Sequence, residues 1–178
     1  MKNYFKIIGN IYRKTFWSLE KQARYAGVKL GKGNFINSHF WSSEGYLITV
    51  GNNCQITSNA RFFTHGGGNA VRKSHPNFDC FGKVVLGDFV YVGSNALIMP
   101  GVTIGDNVLI AAGSVVTKSV PSNVVVGGNP ARIISSIDEY LEHNLKYNLD
   151  SKSLTPSEKK ELLLSTDDEK FIRKDYLK

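Results

Sequence analysis

Cysteine is scarce in this chain: two occur in 178 residues, Cys54 and Cys80. They have no metal-type spacing and supply no disulfide framework, which favours a reducing compartment. Apolar runs of membrane-spanning length are missing, and the N-terminus lacks the apolar stretch and small-residue cleavage site of a secretory leader. The cytoplasm is therefore the expected compartment. A glycine-rich phosphate loop of P-loop or dinucleotide type is also absent. Acidic residues are nearly missing from the first 30 positions, where Lys2, Lys6, Arg13, Lys14, Lys21, Arg24 and Lys29 face Glu20 alone. That leaves 7 − 1 = +6 of the net charge of +7 at one end. The basic residues accompany no recognisable nucleic-acid-reading motif, so nucleic acid is not an expected partner. With 42% apolar and 21% charged residues, the chain has the make-up of one globular domain able to bury a real core.

A period organises what is present. Residues 86–121 read LGDFVY-VGSNAL-IMPGVT-IGDNVL-IAAGSV-VTKSVP. Each block opens on an aliphatic residue: Leu86, Val92, Ile98, Ile104, Ile110 and Val116. The fifth positions, Val90, Ala96, Val102, Val108, Ser114 and Val120, are all small enough to pack under a tight corner. A period of six fits neither the 3.6 of a helix nor plain strand alternation. It fits a strand-plus-turn unit that cannot bury its apolar side alone and must stack on copies of itself. The prediction is a mainly β chain built on a parallel β-helix. Cys54 falls on a fifth position of the same pattern, as a buried free thiol.

IGDN, AAGSVVTK and VPSNVVVGGNPARII resemble the hexapeptide-repeat acyltransferases, closest to the branch that O-acetylates sugars, which includes galactoside, maltose, capsule and O-antigen enzymes. The likeness runs from about Leu30 to Ile134 and leaves both ends uncovered. It implies a left-handed β-helix of triangular section, acetyl-CoA as co-substrate, a sugar or glycan-precursor acceptor, and a homotrimer with its sites between subunits.

Taken in order, residues 1–27 predict an amphipathic helix, with Phe5, Ile8, Tyr12, Phe16, Leu19, Ala23 and Ala26 at helical spacing. It would cap the raw end of the solenoid. A second reading, peripheral membrane contact through residues 1–26, follows from the mixture of Lys and Arg with large apolar residues. The β-helix is expected over 28–134. Its first coil is imperfect: Leu30 and Ile36 set one register and Val50, Ile56 and Phe62 another, so extra chain must lie near His39–Tyr46. The hexads vanish over 66–82 and resume in phase, which marks a loop extruded from a corner. Helices are expected over 135–178, one from near Ser136 and one opening at Thr155-Pro156-Ser157-Glu158 with a capping box.

Acyl transfer to a hydroxyl needs a base that works near neutral pH, which is the province of histidine. His65, in FFTHGGG, follows a structured hexad and precedes the loop. The resemblance makes it the catalytic base, although Gly66 rather than an acid follows it. His75 and Asp79, in the loop, are substrate-binding candidates, and Asn37 matches an acceptor-contacting Asn with a two-residue difference in spacing. By the same resemblance the backbone N–H at Ser94 steadies the oxyanion. Ala112, Thr117, Lys118 and Arg132 match coenzyme-contacting positions. Four histidines in separate contexts do not complete a zinc ligand set, so no metal is expected. Other acceptors (an amino sugar nucleotide, a xenobiotic), a carbonic-anhydrase-like zinc protein and a silent binding solenoid are the alternatives.

Overall fold

The computed structural model of the chain describes residue 9 and residues 11–176. Phe5 and Ile8, with Lys2 and Lys6, lie outside the described residues. Residues 1–137 form one compact unit and 138–178 a second.

The first unit is a parallel β-helix with three faces. One face stacks β1 (Lys29–Leu30), β4 (Ile48–Val50), β7 (Val84–Leu86) and β10 (Thr103–Ile104). The second stacks β2 (Phe35–Ile36), β5 (Gln55–Ile56), β8 (Tyr91–Val92), β11 (Leu109–Ile110) and β13 (Val124–Gly128). The third stacks β3 (Phe40–Trp41), β6 (Arg61–Phe62), β9 (Leu97–Ile98) and β12 (Val115–Val116). Neighbours pair in parallel, Leu86 on Ile104, Val92 on Ile110 and Ile98 on Val116. All six block-opening aliphatics are at most 2% exposed, and the fifth positions beside them are buried as well. Each such buried branched side chain contributes on the order of 1.5–3 kcal/mol, so the columns carry the fold. Cys54 is buried and free, and burial pushes its thiol pKa up.

The corners need backbone that ordinary residues avoid. Asn53, Asn107 and Asn123 turn one corner with φ of 54–64°, and Phe89 takes the same place between them with φ 56°. Asparagine tolerates this left-handed region because its short polar side chain serves the local backbone, whereas phenylalanine gains nothing from it. At the next corner Gly93 lies so close to the coil above that a Cβ would strike the Ala112 backbone nitrogen.

The first coil is complete, and Trp41 rather than a residue at six-fold spacing fills its third face. Its ring stacks on Phe62 at 4.8 Å and 10°. The surplus chain sits immediately after it, where Ser42–Leu47 bulges through a short 3-10 turn at Gly45–Leu47 before β4. The extruded segment leaves after Thr64 and returns at Gly82, whose N–H donates to the Thr64 carbonyl at 2.7 Å. A bridge between His65 and Phe81 closes its base.

The N-terminal stretch is helical over residues 11–16, breaks at Trp17-Ser18, and resumes as α1 (Leu19–Tyr25). Ser18 is the reason: its hydroxyl accepts from the Lys21 N–H, which starts a new helix in place of one continuous helix. Ala23 is buried against the core, and the Arg24 guanidinium donates to the Leu30 and Gly31 carbonyls at the lip of the first coil. Tyr12 and Phe16 are exposed. After the last coil, β13 turns back on β14 (Ala131–Ser136) in antiparallel pairing. The second unit holds most of α2 (Ile137–Leu145) and all of α3 (Pro156–Ser165), the latter opened by a Thr155–Glu158 capping box. No helix among the described residues is long and apolar enough to cross a membrane.

Candidate active site

His65 stands at the corner where the third face turns toward the first, between the end of β6 and the base of the extruded loop. Glu44, on the bulge of the coil below, places Oε2 2.7 Å from its Nδ1. Thr64, fully buried, donates its hydroxyl to the same carboxylate oxygen at 2.7 Å, and Ser42 Oγ lies 2.7 Å from that hydroxyl. Hydrogen bonds from Thr64 first, then from Ser43 and His65, hold the Glu44 pKa down at about 2 against an ordinary 4.5. An ionised carboxylate only accepts, so Nδ1 carries the proton and the neutral ring keeps its basic lone pair on Nε2. Nε2 has no protein partner among the described residues. The carboxylate that the sequence does not supply next to His65 thus comes from one coil away.

Two cavities share His65 as a wall. One, of about 600 Å³, is lined by Phe63, Phe81, Met99 and the Cys80 and Pro100 segments. The other, of about 410 Å³, runs over His39, Phe40, Trp41 and Arg61. His75 and Asp79 are exposed on the loop and belong to the wall of neither; His75 Nδ1 is 3.0 Å from the neighbouring Ser74 hydroxyl.

Asn37, Ser94 and Ala112 lie at a different corner, between the second and third faces. Asn37 donates to Ser58 Oγ at 2.8 Å. Ser94 Oγ donates to Thr57 Oγ1 at 3.2 Å, and the Gly113 N–H donates to the Ser94 carbonyl at 2.8 Å. The Gly93 and Gly113 N–H groups are used by neighbouring coils, whereas those of Ser94 and Ala112 have no partner among the described residues. Two free N–H groups thus stand one above the other on a corner kept narrow by Gly93. Thr117, Lys118 and Arg132 come together elsewhere, around a cavity of about 400 Å³ at the last coil with Ala131 and Ile133. The expected residues therefore form three groups within one protomer, not one pocket, with His75 and Asp79 apart from all three on the loop.

Among the described residues, no three His, Cys, Asp or Glu side chains cluster as metal ligands. His39 packs on Phe40, and His143 Nδ1 lies 2.7 Å from the Glu139 carbonyl oxygen within α2.

The bacterial transferase hexapeptide family, in its six-repeat form, matches residues 83–118. Protein CapG of Staphylococcus aureus is 46% identical over 151 residues, which cover 82% of this chain and 87% of the relative. The galactoside O-acetyltransferase of Escherichia coli K12 is 34% identical over 120 residues, 66% of this chain and 58% of the relative, so the chain spans little more than half of that protein. A hexapeptide-repeat acetyltransferase of Vibrio cholerae, solved in complex with acetyl coenzyme A, superposes with a TM-score of 0.54 at 28% identity, covering 72% of this chain and 84% of that one. The stacked hexads wind as the left-handed β-helix of these proteins. On repeat, fold and identity together, the chain belongs to the hexapeptide-repeat acyltransferases, in the branch of the sugar O-acetyltransferases.

Proposed function

We propose that this acyltransferase moves an acetyl group from acetyl-CoA to a sugar hydroxyl, with His65 as general base. The 2.7 Å contact between Glu44 and His65 carries the reading, because it leaves Nε2 as the basic nitrogen of a ring that walls two open cavities. Nε2 takes the hydroxyl proton while the sugar oxygen attacks the thioester carbonyl. Collapse of the tetrahedral adduct breaks the C–S bond, and the imidazolium returns its proton to the leaving thiolate. The adduct carries negative charge on oxygen, and a fixed backbone donor stabilises it without reorganisation. The free Ser94 N–H supplies such a donor, and the free Ala112 N–H suits an amide of the pantetheine arm. Lys118 and Arg132 supply cations for the coenzyme phosphates.

His65 and Ser94 stand on different corners of one solenoid, so a single site containing both is made by two protomers. That supports a homotrimer with its sites between subunits. The acceptor follows from the resemblance: a precursor of a surface glycan, chosen by loop 66–82 and segment 37–46. The test is acetyl-CoA turnover by wild type and His65→Ala, with coenzyme binding measured on both by calorimetry. Retained binding with lost turnover in the variant is expected. Failure of the wild-type protein to bind the coenzyme overturns the reading.

A further inference from the structure

The cavity over the third face holds a cation with no counter-charge. Arg61 lies across the Phe40 ring with its guanidinium carbon 4.4 Å from the centroid, and among the described residues it has no acidic partner. Glu44, on the bulge after Trp41, is already held by Thr64 and His65. A second cavity, of about 180 Å³, adjoins the first, with His39 and Trp41 in the walls of both. Its far wall carries Arg13 and Lys14. The Trp41 side chain between them is 8% exposed, and its indole N–H is buried with no acceptor among the described residues. From His65 outward the cavities thus run from a ring nitrogen to positive charge, at Arg61 and, past His39 and Trp41, at Arg13 and Lys14.

The geometry points to an acceptor that is a glycosyl phosphate or diphosphate, its sugar in the cavity beside His65 and its phosphates toward Arg61 and the Arg13–Lys14 end. This rests on the acetyl-transfer reading and names the acceptor class for the same site. A planar guanidinium pinned on a ring presents its N–H edge to phosphate oxygens at little entropic cost, which a free lysine does not. The phosphate chemistry is common to nucleotide sugars and lipid-linked sugars.

The test is calorimetric binding and acetyl transfer with galactose, galactose 1-phosphate, UDP-galactose and farnesyl diphosphate-linked galactose as probes. Affinity is expected to rise at least tenfold from galactose to galactose 1-phosphate and again to the diphosphates. Arg61→Gln should collapse that spread, and Arg61→Lys should restore part of it. A stronger response to UDP-galactose than to the farnesyl conjugate identifies the nucleotide source, and the reverse identifies the lipid. Equal affinity for all four probes, or a spread untouched in Arg61→Gln, overturns the proposal. Binding of the phosphates without any transfer would leave the anion site standing and sink the acetyl-transfer reading instead.

Discussion

Thr64 and Ser42 sit one coil apart, and their hydroxyl oxygens are 2.7 Å from each other beneath the Glu44 carboxylate. Thr64 is wholly buried and in turn donates to Glu44, so the orientation of the acid is set from inside the solenoid rather than by solvent. The His65 ring inherits that orientation through Nδ1.

Removing the base should be severe and removing its orienting acid less so. His65→Ala is expected to lower kcat by a factor on the order of 10²–10⁴, the usual contribution of positioned proton transfer. Glu44→Gln keeps the shape but admits the wrong tautomer, and a loss of roughly 10–100-fold is expected. Steady-state kinetics on both variants check this; a Glu44→Gln enzyme as active as wild type would remove the acid from the mechanism.

Glu44 also ties stability to pH. Its folded pKa, about 2, lies below the ordinary 4.5. A carboxyl lowered on folding stabilises the protein fully above its unfolded value, and that contribution drains away as pH falls through 4.5 toward 2. Wild type should therefore be more stable than Glu44→Gln at pH 7, with the gap closing over that acid window. Urea melts at pH 7, 4 and 3 read it directly, and a gap that stays constant contradicts the coupling.

Phe89 occupies a left-handed corner that asparagine fills in the coils beneath and above it, and its side chain is 59% exposed. The conformation costs an ordinary residue roughly 1–2 kcal/mol, while the exposed ring recovers little. Phe89→Asn should raise stability by about 1 kcal/mol, equivalent to roughly 2–4 °C in melting temperature. Calorimetric scanning decides, and a lowered melting point would show that the ring is held by contacts outside the single chain.

Gly93 keeps two coils in register beside the free Ser94 and Ala112 N–H groups. Gly93→Ala should push the Ala112 backbone away, costing about 1–3 kcal/mol of stability as other overpacked sites do. The same displacement should weaken acetyl-CoA binding by roughly tenfold, about 1.4 kcal/mol. Calorimetry with acetyl-CoA tests it; lost stability with intact affinity would detach this corner from the coenzyme.

Lys118 and Arg132 are exposed at the rim of the end cavity, where salt screens charge. Each Ala variant should raise the acetyl-CoA KM only two- to fivefold, in keeping with roughly 0.2–1 kcal/mol for an exposed pair. The effect should fade in high salt, and a KM indifferent to both residues would place the phosphates elsewhere.

The solenoid was legible because six-residue spacing leaves each column as a run of aliphatics, and the loop because the pattern stops and resumes in phase. His65 was visible as a histidine held at a coil's end. Glu44 was not, since its meaning depends on which residues of the first coil bulge, and that was hidden by Trp41 falling five residues after Ile36 rather than six. An acid in a surplus segment one coil beneath a histidine is the signal that would have found it. Arg61 escaped notice because an outward-facing strand residue reads as ordinary surface until Phe40 is seen beneath it. The division of the expected coenzyme residues between two corners follows from the same spacing, since Ser94 and Ala112 are 112 − 94 = 18 residues apart and share an edge, whereas Lys118, six residues on, falls on the next.

The Thr64 carbonyl and the Gly82 N–H meet at the foot of the extruded segment, and the strands on either side keep the register they would have without it. Everything between His65 and Phe81, which bridge each other just inside that foot, is invisible to the columns inside. Loop length adds only slowly to closure cost, so segments of other sizes can be exchanged at this foot as a cassette. On the proposed function, acceptor choice can then drift from one descendant to the next while His65, the carboxylate paired with it and the coils that hold them stay untouched.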